Sequence, residues 1–220
     1  MKIKELHLLS DNIIETELFY NNVLNVKTEE KSPNTVSFNV GSTKMIFIQT
    51  KTNINPVYHF AFDIPNNKFE EAFEWMKART QLIPVIDENN FVSKFDLWNA
   101  KSFYFYDNNL NLLELICRFD VNNETKKPFD SSSILYASEI GIVSESASQT
   151  ANFLTNKYGI KEFTKQAGTD SFTALGDDYG LLVLVNNQRN WFPTNDLAKS
   201  FPSKIVFDNE ANDNYILEIE

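Results

Sequence analysis

The sequence predicts an α+β chain of two domains, each built from paired βαβββ modules, with the last module cut short. Three observations predict it. Short apolar runs that read as strands recur along the chain, and those at 3–9, 57–64 and 135–143 each open a strand–helix–strand unit. The openings at His7 and His59 lie 52 residues apart, about one unit, and a fixed interval of that kind marks a repeat. The polar stretch 120–133, with Pro128 and three consecutive serines, reads as a linker between a domain at 1–120 and a second at 134–220.

The first unit opens with the strand-like run Ile3-Lys4-Glu5-Leu6-His7-Leu8-Leu9, closed by Ser10-Asp11-Asn12. Residues 13–26 carry Ile14, Leu18, Phe19, Val23 and Leu24 near helical spacing, behind a cap at Ser10-Asp11. Two alternating runs, 35–40 and 44–49, flank Gly41-Ser42 and predict a hairpin. The second unit repeats the order, with a strand at 57–64 and a helix at 68–79 that has Phe69, Ala72, Phe73 and Met76 on one face. A long segment at 83–100 follows, then strands at 102–106 and 111–118. Segments of that length in compact domains often act as lids. The third unit has a strand at 135–143, a helix at 147–158 ended by Gly159, and strands at 172–175 and 181–185. Strands at 204–208 and 215–219 leave too little room for a helix, so the fourth unit is truncated.

The chain has 220 residues, 42% of them hydrophobic, including 19 Phe and 8 Tyr, so it can bury an aromatic core. A net charge of −10 argues against a nucleic-acid partner, which needs clustered Lys and Arg. No apolar run reaches the length of a membrane span, and no signal-peptide pattern opens the sequence. A cytoplasmic protein with a small-molecule substrate is expected, with a homodimer left open. The single cysteine, Cys117, lies in an apolar strand and reads as a buried, inert thiol.

Three polar residues interrupt apolar strands: His7, His59, and Glu114 in Leu112-Leu113-Glu114-Leu115-Ile116. Two imidazoles and one carboxylate form a common ligand set for a divalent metal with open positions. A lone histidine in such a strand is more often a hydrogen-bonded core residue, and Glu114 could instead pair with Arg118, four residues on along the same face. The placement of both histidines of the chain at equivalent points of two repeats favours the metal.

The segment Phe19-Tyr20-Asn21-Asn22-Val23-Leu24-Asn25 resembles the first helix of the vicinal oxygen chelate superfamily, which includes glyoxalases, extradiol dioxygenases, fosfomycin-resistance enzymes and bleomycin-binding proteins. Asn25 stands where that family usually has Gly. The run from Ser102 to Leu115 resembles the family's closing hairpin, whose usual turn is Asp-Pro-x-Gly-Asn; this chain keeps Asp107 and Asn111. The resemblance is good over 1–118 and weak over 134–220.

The resemblance implies that His7, His59 and Glu114 hold one divalent ion, with Fe, Mn, Zn and Ni all compatible. Glyoxalases add an acid from the last strand of the first unit, and the run 45–49 offers only Gln49. The three-ligand, dioxygenase-like pattern therefore fits better. The resemblance also gives Tyr104 a catalytic role in binding and polarising substrate, with aromatic core packing as its alternative. Phe91, Phe95 and Trp98 could line the pocket or form the loop's own small core. In the second half the equivalent ligand positions hold Gly141, Lys204 and Glu218, so that half reads as a metal-free copy, with Lys204 able to pair with Glu218. The implied function is a metal-dependent enzyme of the glyoxalase or dioxygenase type acting on a small oxygen-bearing substrate, whether a dioxygenase or a related lyase or transferase. No third histidine remains for acid–base work, and that keeps a non-catalytic small-molecule binding protein of the same fold as the alternative.

Overall fold

The computed structural model describes residues 1–51 and 54–220. The expected element order is present. The first module runs β1 (Lys2–Ser10), α1 (Ile13–Asn22), β2 (Thr28–Ser32), β3 (Thr35–Val40) and β4 (Thr43–Gln49). The second runs β5 (His59–Asp63), α2 (Phe69–Lys77), β6 (Leu82–Ile83), β7 (Ser93–Phe95), β8 (Ala100–Tyr106) and β9 (Leu112–Arg118). The third has β10 (Tyr136–Ser144), α3 (Ala147–Tyr158), β11 (Phe172–Asp177) and β12 (Gly180–Asn186). The truncated fourth has only β13 (Ser203–Asp208) and β14 (Asn214–Ile219).

Local chemistry explains the element ends. Helix α1 starts at Asn12, whose side chain accepts from the backbone N–H groups of Ile14 and Glu15. It stops at Asn22, short of the expected 26, and Asn25 then takes the left-handed conformation (φ 52°) in which Asn is tolerated. Ser146 caps α3, and Gly159 ends it at φ 69°.

The modules pair in a nested order. One sheet has the order β14-β13-β1-β4-β3-β2, so it joins the first module to the fourth. The other has the order β11-β12-β10-β5-β9-β8-β6, with β7 added to β8, and joins the second to the third. In each full module the first strand lies parallel to the last: β1 to β4, β5 to β9 and β10 to β12. The modules meet through antiparallel pairs, β1 with β13 and β5 with β10. The expected boundary near 120–134 therefore divides neither sheet from the other, because each sheet takes strands from both sides of it. Residues 120–133 are a hydrogen-bonded strap rather than a free linker. Within it, Asn123 donates to Asp63 at 2.9 Å and the Phe129 N–H donates to Glu71 at 2.8 Å.

Alternation along the strands sorts the side chains. Phe60, Phe62, Phe103, Phe105, Leu113, Leu115, Ile140 and Ile142 of the second sheet join Leu6, Leu8, Phe38, Phe47 and Phe207 of the first, and the buried faces of the three helices, in one core. Tyr20 of α1 stacks on Phe38 at 4.8 Å, and Phe73 of α2 meets Phe103 edge-on at 5.4 Å. The intervening residues of the second sheet, Ala61, Tyr104, Leu112, Ile116, Val143 and Val183, line its opposite face with Trp98 and Trp191. That face carries the polar residues described next.

Candidate metal centre

Register brings the polar residues of the second sheet together. Ala61 of β5 lies opposite Glu139 of β10 on one side and Glu114 of β9 on the other, and Tyr104 of β8 lies opposite Glu114. His59 is two residues before Ala61 and so shares its face. The small Ala61 side chain leaves space for two glutamates to converge above it. His59, Glu114 and Glu139 each offer a ligand atom, and these atoms lie within 4.8 Å of one another. All three residues are buried, with Glu114 and Glu139 only 3% exposed.

The His59 Nδ1 lies 3.0 Å from the Leu112 carbonyl, which can only accept, so the proton sits on Nδ1. The lone pair of Nε2 then faces Glu114 Oε2, 3.7 Å away. Burial pushes the imidazole pKa down to about 4, keeping the ring neutral. Among the described residues Glu114 Oε1 has no hydrogen-bond partner. Burial, then the negative charge of Glu139, pushes the Glu114 carboxyl upward. Arg118 sits behind the cluster and is fully buried. It donates to Glu139, to Asp63 at 3.0 Å and to Ser138 at 3.1 Å. Burial raises Asp63 to about 6 against the pull of that guanidinium.

When ionised, Asp63, Glu114 and Glu139 bring three negative charges, and Arg118 returns one positive. Two negative charges remain in a site that water hardly reaches, an arrangement that is costly without a counter-charge. A divalent cation cancels that excess, and the free Nε2 and the orphaned Glu114 oxygen are donors of the right kind. The residues fit a divalent metal.

The structure places the predicted residues unequally. His59, Glu114 and Tyr104 share the site. His7 does not reach it, because β1 belongs to the other sheet, where His7 Nε2 lies 2.8 Å from Glu5 and its strand neighbours are Ile46 and Lys204. Glu139 contributes the third ligand-type atom, so the set is one imidazole and two carboxylates instead of two imidazoles and one. Sequence reasoning passed over Glu139, although it is a carboxylate in an apolar strand, the same signal that singled out Glu114. The second half is thus not separate from the site. Gly141, expected at a ligand position, has another role: a Cβ there would come within 2.4 Å of the Trp191 ring, which packs 5.0 Å from the His59 ring. Lys204 and Glu218 face each other across β13 and β14.

A cavity of about 290 Å³ opens over the cluster. Phe95 and Trp98 are among the residues that line it. Trp98 is a fixed wall, since its indole N–H donates to Gln166 at 2.8 Å and its ring meets Phe163 edge-on at 5.1 Å. Phe91 lines a different cavity with Lys77 and Leu82, on the α2 side of the sheet. Trp191, Phe192, Phe172 and Arg189 complete the site cavity. They lie on a strand edge and in a loop with no local motif, and only the tertiary pairing of β10 with β5 brings them over His59.

Comparison with solved structures places this architecture. Over 99% of this chain and 84% of the other, it matches a Bacillus subtilis protein described as a "putative dioxygenase", with a TM-score of 0.62 at 15% identity. The chain has the vicinal oxygen chelate fold. Shorter matches with that fold include a glyoxalase/bleomycin resistance protein/dioxygenase from Alicyclobacillus acidocaldarius (54% of this chain and 92% of that one, TM-score 0.44, 17% identity). A fosfomycin resistance protein from Listeria monocytogenes, complexed with Mn(II), matches over 50% of this chain and 83% of its own, with a TM-score of 0.39 at 21% identity. No family model matches the sequence, and no curated protein does. Within the vicinal oxygen chelate fold of this chain, the buried His/Glu/Glu group lies on the sheet that pairs the second and third modules.

Proposed function

We propose that the protein is a metal-dependent enzyme that holds one divalent cation between His59, Glu114 and Glu139 and acts on a small oxygen-bearing substrate in the aromatic cavity above them. The observation that carries this reading is the convergence of three buried ligand-type atoms, from His59, Glu114 and Glu139, beside a free imidazole lone pair and a Glu114 oxygen with no hydrogen-bond partner among the described residues. One imidazole with two carboxylates is a harder donor set than two imidazoles with one carboxylate, which favours Mn(II) or Fe(II) over Zn and Ni. The bound ion would supply Lewis-acid stabilisation of a developing oxyanion.

The remaining roles belong to the protein's own groups. The Leu112 carbonyl fixes the His59 tautomer, and Arg118 orients Glu139. Burial and the charge of Glu114 push the Tyr104 phenol well above its ordinary pKa, so it stays protonated. Tyr104 therefore serves as a hydrogen-bond or proton donor to substrate oxygen, not as a base. The aromatic walls exclude water and strengthen the electrostatics at the floor.

A binding protein of the same fold is the second reading. It is favoured by the cavity lining, where His59 is the only histidine and is already engaged as a ligand. The deciding experiment is metal analysis of the protein purified without added metal or chelator, followed by assays with catechols, thiol conjugates and α-hydroxy ketones. About one ion per chain is expected, retained in His7→Ala and lost in Glu114→Gln and His59→Gln. Full occupancy in a His59→Gln, Glu114→Gln double variant would overturn the proposal. Tight ligand binding without turnover of any of these classes would select the second reading.

A further inference from the structure

Arg189 lines the same cavity and takes no part in the ion site. The chain has three arginines. Arg79 donates to the Trp75 carbonyl, and Arg118 is consumed by Asp63 and Glu139. The Arg189 guanidinium lies over the Phe172 ring, 4.9 Å from its centroid. Among the described residues it has no carboxylate partner and no hydrogen-bond acceptor. Stacking on an aromatic face holds a guanidinium in place while its five N–H groups stay available. Gln166 adds a second donor. Its side-chain oxygen accepts from Trp98, which fixes the amide, and its NH₂ group has no hydrogen-bond acceptor among the described residues.

The polar groups lining the cavity are therefore of two opposite kinds. The floor is acidic and suited to a cation. Arg189 and Gln166 offer donors, and aromatic walls come from Phe95, Trp98, Phe172, Trp191 and Phe192. An apolar cavity of about 150 Å³ takes a benzene ring, so 290 Å³ accommodates one ring with substituents.

We propose that Arg189 is a specificity residue, selecting a ligand whose planar aromatic body carries a carboxylate that the guanidinium grips in bidentate fashion while the oxygens at the opposite end face the floor. A carboxylate suits a planar fork, and a single guanidinium in a chain of net charge −10 balances a monoanion better than a dianion. The proposal rests on this cavity being the substrate site, as in the function proposed above, but not on a metal being bound there.

Calorimetric titration of the full-length protein with benzoate, its neutral isostere benzamide, and phenylphosphonate tests the idea. The proteins are wild type, Arg189→Lys and Arg189→Met, with metal content measured in each sample. Benzoate is expected to bind wild type about tenfold or more tightly than benzamide, the size of a charge-assisted hydrogen bond. Arg189→Met should bring that ratio close to one while benzamide affinity and metal content stay unchanged, and Arg189→Lys should keep part of the preference. Repeating the series in Glu114→Gln separates the two readings. A preference that survives there but vanishes in Arg189→Met supports the guanidinium independently of the ion. Equal wild-type affinities for benzoate and benzamide, an undiminished preference in Arg189→Met, or tighter binding of phenylphosphonate would each overturn the proposal.

Discussion

His59 is neutral in the folded chain because burial holds its pKa near 4, below the ordinary 6.5. Between those values the unfolded chain takes up a proton that the folded chain refuses. Stability should therefore fall as pH drops from 6.5 towards 4, by about 1.4 kcal/mol per unit. Asp63, raised to about 6, acts in the opposite sense, favouring the folded state as pH falls through the same window. Comparison with His59→Gln isolates the histidine. In chelator-treated protein, the drop in unfolding free energy between pH 6.5 and 4.5 should be about 2–3 kcal/mol larger in wild type than in the variant. Equal drops in denaturant titrations would show that the ring is not buried neutral. At this scale the sequence was informative but incomplete. His59, Glu114 and Tyr104 stood out as polar or functional groups in apolar strands. His7 carried the same local signal and belongs elsewhere, because a residue's own strand does not reveal which sheet that strand will join. Arg189 carried no local signal, and its significance comes from lining the cavity with no carboxylate or hydrogen-bond acceptor among the described residues, which only tertiary structure shows.

At the scale of elements, the turn between β8 and β9 departs from the usual Asp-Pro-x-Gly-Asn pattern. Leu110 stands at the Gly position and is held at φ 62° with its side chain 62% exposed. A left-handed conformation costs a non-glycine residue about 1–2 kcal/mol. The turn nevertheless closes, because Asp107 accepts from the Asn109 and Asn111 backbone N–H groups and from the Asn111 side chain. Replacing Leu110 by Gly should relieve the strain with little loss of burial, offset in part by the greater freedom of glycine in the unfolded chain. A net gain of about 1 kcal/mol is expected from the shift in urea midpoint. A lower midpoint would mean that the leucine makes contacts that matter more than its backbone. Elements with strong end signals were legible: α3 matched its expected 147–158 span because Ser146 and Gly159 mark both ends. Strand β2 was harder to read, since Thr28–Ser32 is mostly exposed and has no apolar alternation.

At the scale of the whole molecule, the repeat period revealed the modules but not their partners. A first strand can pair with the first strand of any other module, and the sequence interval is silent on which. The nested order makes neither half self-sufficient. Residues 1–120 lack β13 as a partner for β1 and β10 as a partner for β5, so both sheets would be opened at their centres. A further tie would go as well: Thr43 donates to the Ile3 carbonyl and accepts from the Ala137 N–H, each at 2.9 Å, and so links the two sheets. The 1–120 fragment is therefore expected to lack cooperative unfolding and dispersed amide resonances. A fragment that shows both would mean that the first two modules pair with each other in isolation.

The nesting also sets an order of assembly. Every strand of the sheet that carries the candidate site lies in one uninterrupted stretch, 59–186. The other sheet is a clasp whose two sides lie at opposite ends of that stretch. As the polypeptide leaves the ribosome, the inner sheet can be completed while one edge of β1 still waits for β13, with its backbone donors and acceptors unpaired. Contacts that span almost the whole chain form late, and an unpaired apolar edge is prone to pair with other chains in the interval. The site would thus be built before the fold is closed, and the most vulnerable moment of synthesis would fall on the strand that carries His7, the histidine outside the site.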